Sequence, residues 1–466
     1  MKNMTLKNIA AAAGGALYAD SVSMETDVEK TEASGVVIDS RKIEKGFVFI
    51  ATRGERVDGH SFIDSAFEKG AIGVVCEKAP ANPKGAYILV KDSFQALKDI
   101  AEFYRGQLDI KVVGITGSVG KTSTKEFVAG VLAKGFNTLK TEENFNNEIG
   151  LPLTVLRIRE DCEAAVLEMG ISDFGEMTRL SKIAKPDICV ITNIGQCHLE
   201  NLGTRDGILK AKTEIFEFMD KDGSVCLNGD DDKLATIKEV NGKRPLFFGM
   251  GRQNDIYADN YENKGLDGSS ARIHIKYGGA ETAFDAQIPL LGEHMVYNAL
   301  AAAAVGVLLG LSPEQISEGI SGVKPVGGRS HVIRTDSYTI IDDCYNANPV
   351  SMRAALDLLS QSSDARKVAV LGDMFELGEN ENTLHAQTGE YAAGGRTDVL
   401  ICVGKLCKNM YDAAQNVENP ATELHYFEDK AQMLSALDGL LKKGDTVLVK
   451  ASHGMGFDEV VKKLSK

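Results

Sequence analysis

Apolar residues along this chain fall into short runs separated by stretches with helical spacing. Residues 35–38, 47–51, 73–76 and 87–90 read as short strands, and 61–69 and 93–104 as helices, so the first hundred residues predict a small α/β unit. From residue 111 to about 320 the apolar runs become near-continuous, at 112–116, 164–167, 188–192 and 225–227, as strands of a parallel sheet buried on both faces require. A break rich in glycine and proline follows at 322–328. Beyond it, 338–341, 367–371, 399–403 and 446–449 alternate with helices, the pattern of a Rossmann-like unit. The expected architecture is α/β with three domains, at 1–108, 109–322 and 323–466. Asp342, Asp343, Asp373 and Ser452 sit just past strand ends, where open parallel sheets bind ligands, so the second and third domains are expected to share one site.

Composition supports this organisation and narrows the partners. A chain of 466 residues is too long for one core. A net charge of −14 repels nucleic acid and anionic lipid, so neither is expected as a partner. The eight cysteines, at 76, 162, 189, 197, 226, 344, 402 and 407, contain no C-x-x-C pair and read as reduced thiols, pointing to the cytoplasm. The alanine-rich stretch at 9–18 is interrupted by Gly14-Gly15 and predicts a small helix and turn rather than a signal peptide. No segment is long and apolar enough to span a membrane.

The chemistry begins at residue 112. The apolar run to Thr116 leads into Gly117-Ser118-Val119-Gly120-Lys121-Thr122-Ser123 and then a helix. Gly117 and Gly120 can take backbone angles closed to other residues, so successive N–H groups turn inward on an anion at the helix's positive end. Lys121 adds a cation for the β- and γ-phosphates, and the Thr122 hydroxyl can ligate Mg²⁺. The strict pattern asks for glycine at 115, where this chain has Ile115. The segment nonetheless predicts a P-loop and makes the central domain a parallel-sheet ATPase unit.

Glu168 ends an apolar strand on the rim where the P-loop emerges, a place that suits either a Mg²⁺ ligand or a capping carboxylate. His198 follows the strand at 188–192 on the same rim and reads as a ligand or an ordinary loop histidine. Cys197 beside it lacks a second pair at zinc-like spacing. In the helix expected at 205–219, Ile208, Ile215 and Met219 form an apolar stripe with Lys212 in its middle. A lysine there either snorkels to solvent or is paired or modified. Lys210 shares the polar face with Glu214, where an i,i+4 pair is expected.

These residues resemble the Mur ligases, ATP-dependent amino-acid and dipeptide ligases of peptidoglycan synthesis. The likeness runs through Thr192-Asn193-Ile194-Gly195, His198-Leu199-Glu200, Gly203 and Ala211-Lys212 with Ile215, and covers nearly the whole chain. It extends to Asp39-Ser40-Arg41 with Gly46, Asp58-Gly59-His60, Thr141 with 144–150, Tyr345-Asn346-Ala347-Asn348-Pro349, and 371–378 followed by His385. Those stretches are most similar to the branch that joins D-alanyl-D-alanine to UDP-MurNAc-tripeptide; the Asp-Asn-Pro-Arg signature of a sister branch is missing.

The resemblance implies that Lys212 is carbamylated and that Thr122, Glu168, His198 and Lys212 hold two Mg²⁺ ions. It implies that Asn298 reads adenine, Arg329 the phosphates and Asp343 the ribose region of ATP. Ser40 and Arg41 would bind the UDP end, and Asn144, Asn146 and Asn147 would line the sugar–peptide path. Two positions depart from the pattern: Ser452-His453 stands where this branch often has Ser-Arg, and Cys197 replaces a small residue. The expected enzyme is a cytoplasmic monomer that forms an acyl phosphate from ATP and the tripeptide carboxylate before the dipeptide amine attacks. A folylpolyglutamate synthase shares the P-loop and modified-lysine logic but leaves the UDP-type first domain unexplained. A nucleotide-operated binding protein is the alternative from another class.

Overall fold

The computed structural model describes residues 1–19, 30–54, 57–325, 327–329, 331–362, 366–418 and 422–465, and the statements below refer to these. Val326, inside the break at 322–328, lies outside them. Three sheets follow one another along the chain. The first has five strands in the order Ala16–Tyr18, Tyr87–Leu89, Gly73–Cys76, Phe47–Ile50 and Gly35–Val37, all parallel except the edge strand Ala16–Tyr18. The alanine-rich N-terminus thus forms the helix Leu6–Ala12, a turn and then this strand, where the sequence pattern predicts only a turn.

The central sheet has nine strands, and Lys111–Thr116 lies between Ile188–Ile191 and Ala164–Glu168. Alternate residues of these strands enter two different cores. Val112, Ala165, Leu167 and Ile191 face one, and Val113, Ile115, Val166 and Val190 face the other. Burial on both faces explains the unbroken apolar runs. The sheet is not wholly parallel, however. Ser269–Tyr277 pairs antiparallel with both Ile256–Asn263 and Ala280–Ile288. Ser269–Tyr277 alternates buried and half-buried residues, because one of its faces is covered, chiefly by the helix His294–Leu308 and its neighbours in the second core.

The third sheet runs His331–Arg334, Thr339–Asp342, Thr446–Lys450, Lys367–Gly372, Val399–Val403 and Glu423–Phe427, parallel except at the first strand. The helix Ser93–Arg105, at the end of the first unit, docks on the central one: the Tyr104 hydroxyl donates to the Ile158 carbonyl at 2.6 Å, and the Arg105 guanidinium reaches the Ala184 and Lys185 carbonyls.

The helix expected at 205–219 is shorter. An α-helix covers Arg205–Thr213, and a 3-10 turn follows at Glu214–Phe216. Glu214 does not pair with Lys210. Its carboxylate accepts the Gly175 and Thr178 N–H groups at the start of the helix Glu176–Ala184, and Lys210 lies over the Phe174 ring instead. A carboxylate gains more from the orphan N–H groups of a helix N-terminus than from an exposed ion pair.

Candidate active site

The carboxyl ends of the central strands open into a cavity of about 810 Å³ that is closed on its far side by residues of the third unit. The P-loop forms its floor. Gly117 has φ 150°, and a Cβ there would fall 1.9 Å from Thr192 Oγ1. The Thr192 hydroxyl donates to the Val119 carbonyl, Asn193 Oδ1 accepts the Val119 N–H, and Ser118 Oγ accepts the Gly195 N–H. Thus the loop after one strand fixes the loop after its neighbour. Lys121 Nζ donates to the Gly117 carbonyl at 2.9 Å, which holds the ammonium over the cradle.

Glu168 stands at the end of its strand, 1% exposed. Thr122 Oγ1 donates to one carboxylate oxygen at 2.9 Å, and Asn146 Nδ2 donates to the other at 2.8 Å. Asn147 Oδ1 accepts the Gly150 N–H at the start of the helix Gly150–Val155, while Asn144 stands outside the cavity lining. Asn298 lines the cavity from the helix His294–Leu308, its Oδ1 accepting from Thr124 at 2.8 Å.

Lys212 is 1% exposed and is not among the residues that line the cavity. Burial, with the Lys121 charge adding to it, lowers its pKa to about 7, so its neutral amine is accessible near neutral pH. His198 lines the cavity on a left-handed backbone, and its pKa is lowered by burial and by the charges of Lys121 and Lys212. Its Nδ1 lies 3.1 Å from Glu376 Oε2.

The third unit supplies Arg329, whose guanidinium lies 4.1 Å from the centre of the Tyr345 ring, and Asp343, which accepts Lys450 Nζ at 2.5 Å. Lys450, 2% exposed, also donates to the Asn346 carbonyl, and burial lowers the pKa of nearby His294. His453 tilts against Tyr345 at 5.3 Å. Ser40 and Arg41 lie apart from this cavity. Arg41 Nε and Nη2 grip Asp39 at 2.9 and 2.8 Å, leaving the guanidinium 85% exposed.

Lys450, His294 and Glu376 went unnoticed as site residues in the sequence. Lys450 carried the same signal as Glu168, a charge ending an apolar strand. Glu376 fell within the family-like stretch 371–378, but nothing local to that stretch announced its pairing with His198. Among the described residues one further group, Asp373, His385 and Cys407, has metal-binding donors close together. Those donors are already used. His385 Nε2 accepts the Met374 N–H, its Nδ1 meets the Glu381 carbonyl, and Asp373 accepts the Cys407 N–H.

Three family descriptions match consecutive parts of the chain: the Mur ligase family catalytic domain at residues 32–105, the Mur ligase middle domain at 115–306, and the Mur ligase glutamate ligase domain at 328–453. A UDP-N-acetylmuramoyl-tripeptide–D-alanyl-D-alanine ligase of Bacillus subtilis is 41% identical over all of this chain and 99% of its own length. The crystal structure of MurF from Acinetobacter baumannii aligns with a TM-score of 0.87 at 32% identity, covering 99% of this chain and 98% of that one. MurF ligase from Thermotoga maritima, in complex with ADP, aligns at 0.79 and 30% identity over 92% and 97%. Three family descriptions in chain order and a relative 41% identical over the full length show that the chain belongs to the Mur ligase family.

Proposed function

We propose that this protein joins D-alanyl-D-alanine to UDP-MurNAc-tripeptide, converting ATP to ADP and phosphate. The observation that carries this reading is Glu168, whose carboxylate binds Thr122 of the P-loop on one side and Asn146 of the proposed peptide path on the other. One group thereby connects the place where a γ-phosphoryl leaves with the place where a carboxylate arrives. The tripeptide carboxylate attacks the γ-phosphorus, the bond to ADP breaks, and an acyl phosphate forms. The dipeptide amine then attacks the acyl carbon, loses a proton, and expels phosphate.

Hydroxyl and carboxylate oxygens such as those of Thr122 and Glu168 suit Mg²⁺, and we assign a first ion to them. A second is assigned to His198 and Lys212. A lysine ammonium cannot ligate a cation, but its neutral amine adds CO₂ to give a carbamate and a proton; the lowered pKa of Lys212 supports that modification. Two such ions supply charge neutralisation at the transferring phosphoryl group. Lys121 donates to the same group, and Gly117, Ser118, Val119, Gly120 and Ser123 cradle the phosphates.

Asn298, Arg329 and Asp343 are assigned to adenine, phosphates and ribose, and their shared cavity supports this. Ser40 and Arg41 are assigned to the UDP end, with Asn144, Asn146 and Asn147 between. The division at 1–108, 109–322 and 323–466 agrees with one sheet per unit. We propose a cytoplasmic monomer; among the described residues no helix is long and apolar enough to cross a membrane.

The test is ATP turnover with each substrate withheld. Phosphate release that needs both the UDP-tripeptide and the dipeptide, with UDP-MurNAc-pentapeptide detected by mass, is the expected outcome. Release without the dipeptide and without a new peptide product would favour a nucleotide-operated binding protein, and glutamylation of a folate would favour the folylpolyglutamate reading.

A further inference from the structure

We infer that Lys125 is a positioning residue for the Glu168 carboxylate, acting through Thr141. Lys125 lies on the P-loop helix Lys121–Leu132, one turn after Thr122, and is 2% exposed. It does not line the cavity. Its Nζ donates to the Thr141 carbonyl at 2.8 Å and lies 3.1 Å from Glu126.

Thr141 is fully buried and held on three sides. Its N–H donates to the Val166 carbonyl at 3.0 Å, its carbonyl accepts Lys125, and its Oγ1 accepts the Glu168 N–H at 3.0 Å. The Glu168 carboxylate in turn accepts the Thr122 hydroxyl at 2.9 Å. Thr122, Glu168, Thr141 and Lys125 therefore form a closed ring that begins and ends on one helix. The ring sets the separation of two oxygen donors, the Thr122 hydroxyl and the Glu168 carboxylate, from the side away from the cavity. Asn146 completes the placement, its side chain filling the space that a Cβ on Gly170 would need.

The same helix buries Phe127, Val128, Val131 and Leu132, so an apolar side chain at 125 would join that packing, while the buried Thr141 carbonyl would lose its donor. Glu126 would keep Lys140 as its partner. What the charge adds is a fixed backbone at Thr141, and through it a fixed Glu168. Partners that orient metal ligands in this way typically contribute about 10–100-fold in metal affinity.

The inference rests on Glu168 being a metal ligand, as proposed above, and is tested by Mn²⁺ binding to the full chain with ADP, read by electron paramagnetic resonance. Lys125→Met and Thr141→Val should each weaken Mn²⁺ binding by about 10–100-fold. The double variant should be no weaker than the weaker single one, and the Lys125→Met melting temperature should not fall in proportion. Lys140→Met, which removes a cation from Glu126 but none from Thr141, should bind Mn²⁺ as the wild type does. Wild-type affinity in either Lys125→Met or Thr141→Val, or full additivity in the double variant, overturns the inference. Should Lys125→Met fail to fold, Thr141→Val alone decides it. The two readings fail differently: Glu168→Gln with unchanged Mn²⁺ affinity refutes the metal assignment, whereas weakened Glu168→Gln beside unaffected Lys125→Met refutes only the role of Lys125.

Discussion

His198 Nδ1 and Glu376 Oε2 lie 3.1 Å apart across the cleft between the central and third sheets, and both residues have left-handed backbones, at φ 50° and 61°. Such backbone costs of order 1–3 kcal/mol per residue and marks places where function fixes geometry. A carboxylate beside Nδ1 favours the tautomer protonated there, which would leave Nε2 for a cation, an arrangement that orients histidine ligands. Glu376→Ala should therefore raise the Mg²⁺ concentration for half-maximal turnover by about tenfold or more. Its unfolding free energy should change by less than about 1 kcal/mol, since the side chain is mostly exposed. Unchanged Mg²⁺ dependence would show that the contact only joins two surfaces.

Acid should weaken the fold early. Burial lowers the pKa of His198, His294 and His385 below the ordinary histidine value of 6.5. An unfolded histidine then binds its proton before the folded one does, so stability is full above pH 6.5 and falls as the pH drops through the lowered values. Urea unfolding between pH 7.5 and 5 should show this loss, and His385→Gln should reduce its slope. A flat profile across that range would mean that the histidines are protonated equally in both states.

The Lys212 amine should be essential for turnover while nearby lysines are not. Lys212→Ala should nearly abolish activity and regain part of it with added formate or acetate, which can supply the missing carboxylate oxygens. Labelled CO₂ should give a carbamate carbon signal in the wild type that the variant lacks. Lys210→Ala should be mild, because that side chain is exposed over Phe174. Full activity of Lys212→Ala would exclude a ligand role.

Strand positions were legible because buried parallel strands have one signature, and the structure puts strands at Gly73–Cys76 and Val399–Val403 as read from the sequence. The antiparallel strands over 256–288 were missed, since their half-exposed alternation is diluted by polar residues. The P-loop was legible because local glycine and lysine spacing encodes it. The Lys210–Glu214 pair was misread because helical spacing cannot show that Glu214 meets the N–H groups of Gly175 and Thr178. His198–Glu376 and Lys450–Asp343 are contacts between distant segments, and no local pattern announces them.

Arg41 should act on the UDP substrate rather than on the fold. Its guanidinium is paired with Asp39, which it holds down at a pKa of about 2, yet it presents its outer face to solvent. A diphosphate could be gripped bidentately from that face. Arg41→Ala should raise KM for UDP-MurNAc-tripeptide far more than for ATP and leave the melting temperature unchanged. Equal rises in both KM values would point to a general disturbance instead.

The order of chemistry gives the most direct check on the ligase reading. In the proposed reaction an acyl phosphate forms from ATP and the tripeptide before any amine is needed, so the first step should proceed with the dipeptide withheld. Hydroxylamine should then trap the activated carboxyl as a hydroxamate. In complete turnover, oxygen label placed in the tripeptide carboxylate should appear in the released phosphate, because that oxygen bridges carbon and phosphorus in the intermediate and leaves with phosphorus. Lys121, held over the cradle by the Gly117 carbonyl, is the cation that the proposed reaction assigns to the transferring group. Lys121→Ala should therefore suppress both signals by about 10²–10³-fold or more, the usual loss when one preorganised donor to a developing charge is removed. Label that stays wholly in the peptide would rule out γ-phosphoryl transfer to the carboxylate and require an adenylate route.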